Sequence, residues 1–321
     1  MLRSMYSGIS GMRNFQTKLD VIGNNIANVN THGFKKGRVI FKDIMSQTQQ
    51  GASGPNGAIG GTNAKQVGLG SSLATIDTIH GTGSTQNTGR VLDIANSGEG
   101  FFLVAERGVE DPALVTDFKN VKYTRAGNFY KDNEGYLVNA DGNYLIGLNT
   151  GGGAVPPNAG DNTIGHESLQ PDANGTPPDL DGVFDTDAEL QYDPLDGGRI
   201  YIPDDAKEMS IGLDGRVTYV AASGELMFAG QIVMAKFSNP EGLTKTGNNA
   251  YIPSANSGAP GFSAGGLNGI GQTVSGALEM SNVDLSEEFT EMIVAQRGFQ
   301  ANTRIITTSD EILQELVNLK R

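Results

Sequence analysis

"LDVIGNNIANVNTHGFKKGR", residues 19–38, opens as the end of an amphipathic helix and then breaks into asparagine, threonine and glycine. The helical side of the break reaches back to the start of the chain. Leu2, Met5, Ile9, Met12, Leu19 and Ile26 occupy the a and d positions of a heptad, with Gln16 and Gly23 interrupting the seam. The pattern predicts a helix from residue 2 to about Asn28, where Asn, Thr and Gly tolerate non-helical backbone. Taken alone, Asn24, Asn25, Asn28 and Asn30 form a helix stop whose amides hydrogen-bond exposed backbone. Gly33 permits a sharp turn, and Phe34 anchors the chain ahead of three basic residues.

The other end of the chain mirrors this one. Asp284 is placed as an N-cap, Glu287 follows at the capping-box spacing, and Glu288 also suits a first turn. Leu285, Met292, Phe299, Ile306 and Leu313 then recur every seven residues, and Lys320 and Arg321 suit a helix C-terminus. Helices with such narrow seams bury little alone and need each other or neighbouring copies.

Between the ends the texture changes. Residues 51–70 are Gly-rich and read as a loop or extended linker. From residue 71 short apolar runs such as "FFLVAE", "MSIGLDGRVTYVAA" and "QIVMAKFS" predict strands, with turns at Asn-Glu-Gly, Ala-Asp-Gly and Leu-Asp-Gly. The expected fold class is α+β and multi-domain. Residues 1–36 and 282–321 form a helical domain, 37–70 a Gly-rich connection, and 71–149 with 199–281 a β-rich body. Residues 150–198 are an acidic insertion, either a small outer domain or an irregular excursion.

Composition narrows the functional classes. The 321 residues carry a formal net charge of −13, and the block from Gly151 to Gly198 holds ten Asp or Glu and no Lys or Arg. No basic stripe is present to release counterions from phosphates, so nucleic acid is not an expected partner. No segment approaches the eighteen or so apolar residues of a membrane span, and the N-terminus lacks the pattern of a cleaved secretory signal. The chain has no cysteine, which removes disulfides, thiolate metal sites and thiol catalysis together.

His32, His80 and His166 stand far apart, and none has a partner at ligand spacing. Asp179, Asp181, Asp185, Asp187, Glu189 and Asp193 cluster in the insertion, but the order of a calcium-binding loop is absent, and a solvated loop is the plainer reading. No phosphate loop, nucleophile elbow or triad pattern occurs. Neither an enzyme nor a cofactor is expected. A surface adhesin would share the β-rich, cysteine-free middle, but its ends would have no reason to carry matched heptads.

The segments Ser7–Lys36 and Gly276–Arg321 resemble the terminal signatures of the flagellar axial proteins, the family of rod, hook and hook-associated subunits. The shared N-terminal pattern is a Ser-Gly pair, an apolar helix, then N-N-I-A-N-x-x-T-x-G-F-K. Within that family "VGLG" (67–70), "NTGRVLDIA" (87–95), "SNVDLSEE", "MIVAQR" and the ending "ILQELVNLKR" lean toward hook, while "YTRAGNF" and "DNEGYLV" are common to hook and rod. The resemblance fails over 150–198.

The resemblance implies an inner coiled-coil domain built from the two helices, a β-rich middle layer and an outer insertion. It implies a head-to-tail homopolymer of the hook, a universal joint outside the cell reached by flagellar type III export. Its implied partners are the distal rod protein, the hook cap, the hook–filament junction protein, the hook-length control protein and the export apparatus, with no membrane insertion. The assembly residues would be the two heptad rows named above. Asn24, Asn25, Asn28, Gly33 and Phe34 would be the family motif. The alternative within the family is the distal rod subunit. Bending would take place at the Gly-rich segment 51–70.

Overall fold

A computed structural model describes residues 2–55, 60–107, 118–148 and 198–319. The chain folds as two units, each with its own packing. It is α+β, with a helix at each end and strands between them. The insertion 150–198, apart from its last residue, lies outside the described residues, as do His166 and the acidic cluster 179–193.

Unit 1 comprises residues 1–30, 35–81 and 282–321. It holds α1 (Leu2–Ala27), β1 (Gly37–Asp43), β2 (Ser46–Gln50), β3 (Lys65–Gly68), β4 (Ser71–Thr78) and α2 (Leu285–Leu319). α1 stops one residue before the predicted Asn28, where the Asn28 N–H still donates to the carbonyl of Asn24 at 3.2 Å. α2 starts at the predicted cap: Asp284 Oδ1 accepts from the N–H of Ser286 at 2.7 Å and of Glu287 at 3.3 Å. The Glu287 carboxylate does not complete a capping box, because it takes the Lys36 ammonium at 2.8 Å instead.

The expectation of a Gly-rich connection over 37–70, with a loop or extended linker at 51–70, is corrected by three strands, β1, β2 and β3. β1 pairs antiparallel with β4 from Gly37↔Thr78 to Asp43↔Ser71. β2 pairs with β3, and the ribbon continues to a Ser53↔Thr62 bridge with two backbone bonds of 3.0 Å. Every residue of β2 and β3 is exposed, so no apolar alternation marks them in the sequence. β4 accordingly belongs to unit 1 and not to the β-rich body.

Unit 2 comprises residues 31–34 and 82–281. Its strands are β5 (Thr85–Asn87), β6 (Ile94–Ser97), β7 (Phe101–Arg107), β8 (Phe118–Thr124), β9 (Tyr130–Lys131), β10 (Leu137–Val138), β11 (Tyr144–Leu148) and β12 (Gly198–Arg199). They continue with β13 (Glu208–Ile211), β14 (Arg216–Val220), β15 (Leu226–Lys236), β16 (Thr244–Gly247), β17 (Ala250–Ile252), β18 (Gly261–Ala264), β19 (Gln272–Ser275) and β20 (Ala277–Glu279). The largest sheet runs β13-β14-β15-β11-β7-β8-β17-β16, and all its pairings are antiparallel.

Its central strands are buried on both faces, which explains their unbroken apolar runs. On β7, Phe102 and Val104 enter one core while Phe101, Leu103 and Ala105 enter another. β15 divides the same way, with Ile232 and Met234 on one face and Val233 and Ala235 on the other. Full burial of each such large side chain contributes about 1.5–3 kcal/mol. The three predicted turns form: the N–H groups of Gly135, Gly142 and Gly215 donate to the carbonyls of Asp132, Asn139 and Gly212 at 3.0, 3.1 and 3.0 Å.

Candidate assembly surface and N-terminal motif

The helices α1 and α2 pack antiparallel within unit 1. Lys18 pairs with Glu291, a Cβ built on Gly298 would meet the Phe15 ring at 2.5 Å, and one on Gly11 would meet the Asn302 amide at 3.0 Å. Near the start of α1, Gly8 faces Ile306. The contact row on α1 is thus Gly8, Gly11, Phe15, Lys18, Ile22 and Asn25, which is itself a heptad pattern. On α2 the row Glu288, Ala295, Asn302, Ser309 recurs every seven residues, and three of its members are buried while Asn302 is half-buried.

This row lies one position before the α1 seam read from the sequence, a rotation of about 100° around the helix. Met5, Ile9, Met12, Leu19 and Ile26 flank the contact and stay half-buried, as do Met292, Phe299, Ile306 and Leu313. Leu285 is exposed, and the side chain of Leu2 lies outside the described residues. Small and polar residues let the helices approach closely, and a search for apolar residues passes over them. The signal that finds them is the spacing of Gly8, Gly11, Ala295 and Gly298. A further apolar face of α2 is exposed among the described residues: Phe289 is 50% exposed and Ile293 59%.

The asparagine motif divides into three jobs. Asn28 closes the end of α1, its amide donating to the Asn24 carbonyl at 2.9 Å. Asn25 is buried and bonds both backbone groups of Gly37 at 2.9 Å, as a neighbouring strand would, while its amide also reaches Glu288 Oε2 at 3.2 Å. Thr31–Phe34 belong to unit 2. There the Gly33 N–H donates to the Glu279 carbonyl at 2.8 Å, and the Asn249 amide donates to the His32 carbonyl at 3.0 Å. Gly33 has φ +70°, and a Cβ on it would lie 2.6 Å from the Ala126 nitrogen. Only glycine fits that backbone and that approach. Phe34 is buried, with the Lys245 ammonium 5.2 Å from its ring centre.

Beneath this segment unit 2 buries an ion pair. Arg125 Nη1 lies 3.3 Å from Glu279 Oε2 and donates to the Gly98 carbonyl at 2.8 Å. Glu279 Oε1 accepts from the Gly83 N–H at 3.0 Å. Burial pulls the Arg125 guanidinium below its ordinary pKa, and the Glu279 charge opposes that pull. Burial also pushes the hydroxyls of Tyr123 and Tyr251 up to about 12. Among the described residues no group of three His, Cys, Asp or Glu is placed to hold a metal ion, and no helix is long and apolar enough to cross a membrane.

Three family models match the chain: Flagella basal body rod protein over residues 5–35, Flagellar hook protein FlgE/F/G D1 domain over 95–219, and Flagellar basal body rod FlgEFG protein C-terminal over 274–319. The flagellar basal-body rod protein FlgG of Bacillus subtilis (strain 168) is 52% identical over 322 residues, covering all of both chains. The chain belongs to the flagellar rod and hook protein family. Members of this family are structural proteins of the flagellum and not enzymes.

The flagellar hook protein FlgE of Borreliella burgdorferi is 33% identical over 452 positions, again covering all of both chains. The FlgG rod protein of the same organism is 32% identical over 324 positions and covers both fully. These comparisons back the rod alternative better than the lean toward hook. The rod relatives align at nearly this chain's own length, whereas the hook relative requires 452 positions for a chain of 321 residues. The terminal motifs do not separate the two, because hook and rod relatives both match from end to end.

Proposed function

We propose that the chain is the subunit of the distal rod, polymerising head to tail into a straight hollow tube within the flagellar basal body. The observation that carries this reading is the 52% identity to a rod protein along the whole of both chains. A head-to-tail polymer joins unlike surfaces, so a subunit must keep unsatisfied faces at both its ends. The half-buried rows of α1 and α2, the open face at Phe289 and Ile293, and the fully exposed β2–β3 ribbon are such faces. A two-stranded ribbon without a buried side is marginal alone and gains stability against a neighbour. In this reading α1 and α2 form the inner coiled coil of the tube, and the motif from Asn24 to Phe34 is a structural joint.

The paired ribbon also replaces the soft linker that the bending hypothesis needs, which favours a stiff tube over a curved one. The partners are other copies of the chain, the adjoining rod and hook subunits, and the type III export apparatus. The hook cap, the hook–filament junction protein and the length-control protein belong to the hook reading and are not carried over. Expression in two strains of Bacillus subtilis tests the assignment, one lacking its FlgG and one lacking its hook protein. Swimming should return in the first strain only. Return in the second strain alone would assign the chain to the hook.

A further inference from the structure

Unit 1 contains a cavity of about 330 Å³ between α1, the first two turns of α2 and residues 36–39. Its charged lining is Lys18, Lys36, Arg38, Glu287, Glu288 and Glu291. Each cation there already has its own carboxylate. Lys18 is held by Glu291, Lys36 by Glu287 at 2.8 Å, and Arg38 by Asp77 at 3.6 Å. Glu288 differs. It is only 6% exposed, and among the described residues no cation lies within ion-pair distance of it. Its Oε2 accepts one bond from Asn25, whose amide group is otherwise committed to Gly37. Its Oε1 has no hydrogen-bond partner among the described residues.

Oε1 is not among the atoms shut off from solvent, so it opens into the cavity and is free to take a donor from outside, and a largely buried charge is ordinarily paired. The same helices carry four arginines, Arg3, Arg13, Arg297 and Arg304, all exposed and none in an ion pair among the described residues. The guanidinium fork matches a carboxylate with two parallel hydrogen bonds and is shed from water more readily than an ammonium. We propose that the cavity receives a guanidinium from a second copy of this chain, which closes on Glu288 as the polymer forms. This rests on the assembly reading above and adds to it a specific contact between subunits.

The full chain tests it by sedimentation of assembled material against concentration. Glu288→Gln keeps the shape and an oxygen for the Asn25 bond but removes the charge. Its helical circular dichroism should match the parent, and its concentration threshold for assembly should rise about tenfold or more, as loss of one partner of a buried charged pair implies. Glu288→Arg should abolish assembly, and combining it with Arg→Glu at positions 3, 13, 297 and 304 in turn should restore assembly for one of the four. A Glu288→Gln chain that assembles at the parent threshold, or a set of swaps in which none restores assembly, overturns the proposal alone. An unaltered chain that never assembles overturns the assembly reading, and the arginine contact with it.

Discussion

At Gly33 one hydrogen atom in place of a side chain decides whether the turn at Thr31–Phe34 packs within unit 2. Its φ of +70° disfavours any Cβ, and the Ala126 nitrogen stands 2.6 Å from where that Cβ would be. The obstruction is backbone, so no side chain can swing aside. Gly33→Ala should destabilise unit 2 by about 1–3 kcal/mol, the range for a strained backbone position. Urea unfolding followed by tyrosine fluorescence checks this, and an unchanged midpoint would refute it. The buried pair below makes a sharper case. Arg125→Met takes the guanidinium away from Glu279, which stays buried and keeps the Gly83 N–H. Breaking one side of such a pair costs about 3–5 kcal/mol, and Arg125→Met with Glu279→Gln together should recover part of that loss. Equal losses in the single and double variants would show that the charge pairing is not what matters. At this scale the sequence was legible in kind: glycine before phenylalanine announced a turn and an anchor. It did not reveal the Glu279 contact, because that partner stands far along the chain.

Among the elements, the two helices show where sequence reading succeeds and where it slips. Their existence, the Asp284 cap and the stop after Ala27 all follow from local chemistry. Their contact row did not, because α1 and α2 meet through glycine, alanine, asparagine and paired charges, with the apolar row set to one side. Hydrophobic periodicity finds surfaces that need covering, and here part of the apolar surface stays exposed. The β2–β3 ribbon was missed for the opposite reason: Ser, Gln, Thr and Lys give no alternation to detect. The close fit of Phe15 over Gly298 supplies a test of the pairing. Gly298→Leu should force the helices apart, with an overpacking cost of about 1–3 kcal/mol and a loss of helical signal at 222 nm. Adding Phe15→Ala should recover most of the signal, since it empties the space the leucine needs. Failure of that rescue would mean that the two residues do not share one contact. By contrast, Phe289→Ser with Ile293→Ser changes an exposed face. Stability should move by less than about 1 kcal/mol, while assembly in a sedimentation assay falls sharply.

For the molecule as a whole, the division into two units lets folding and the proposed assembly be tested apart. Unit 2 carries both apolar cores, and its buried tyrosines report on it directly. Tyr123 and Tyr251 have folded-state pKa values of about 12, against about 10 when exposed. Above pH 10 the unfolded chain loses these protons while the folded chain keeps them, so ν_U falls below ν_N and stability declines with rising pH. The stabilising difference is fully present below pH 10 and is lost as the pH climbs through about 12. Removal of residues 282–321 deletes α2 and so strips α1 of its helical partner, but it touches neither core of unit 2. The truncated chain should therefore show the same late absorbance rise at 295 nm between pH 10 and 12 as the full chain. It should form no tubes under conditions in which the full chain forms straight ones by electron microscopy. Tubes from the truncated chain would remove the terminal helices from the assembly mechanism. Curved tubes from the full chain would return the molecule to the hook. Tyrosines that titrate early in the truncated chain alone would show that unit 2 depends on α2 for its fold, which two separate cores do not predict.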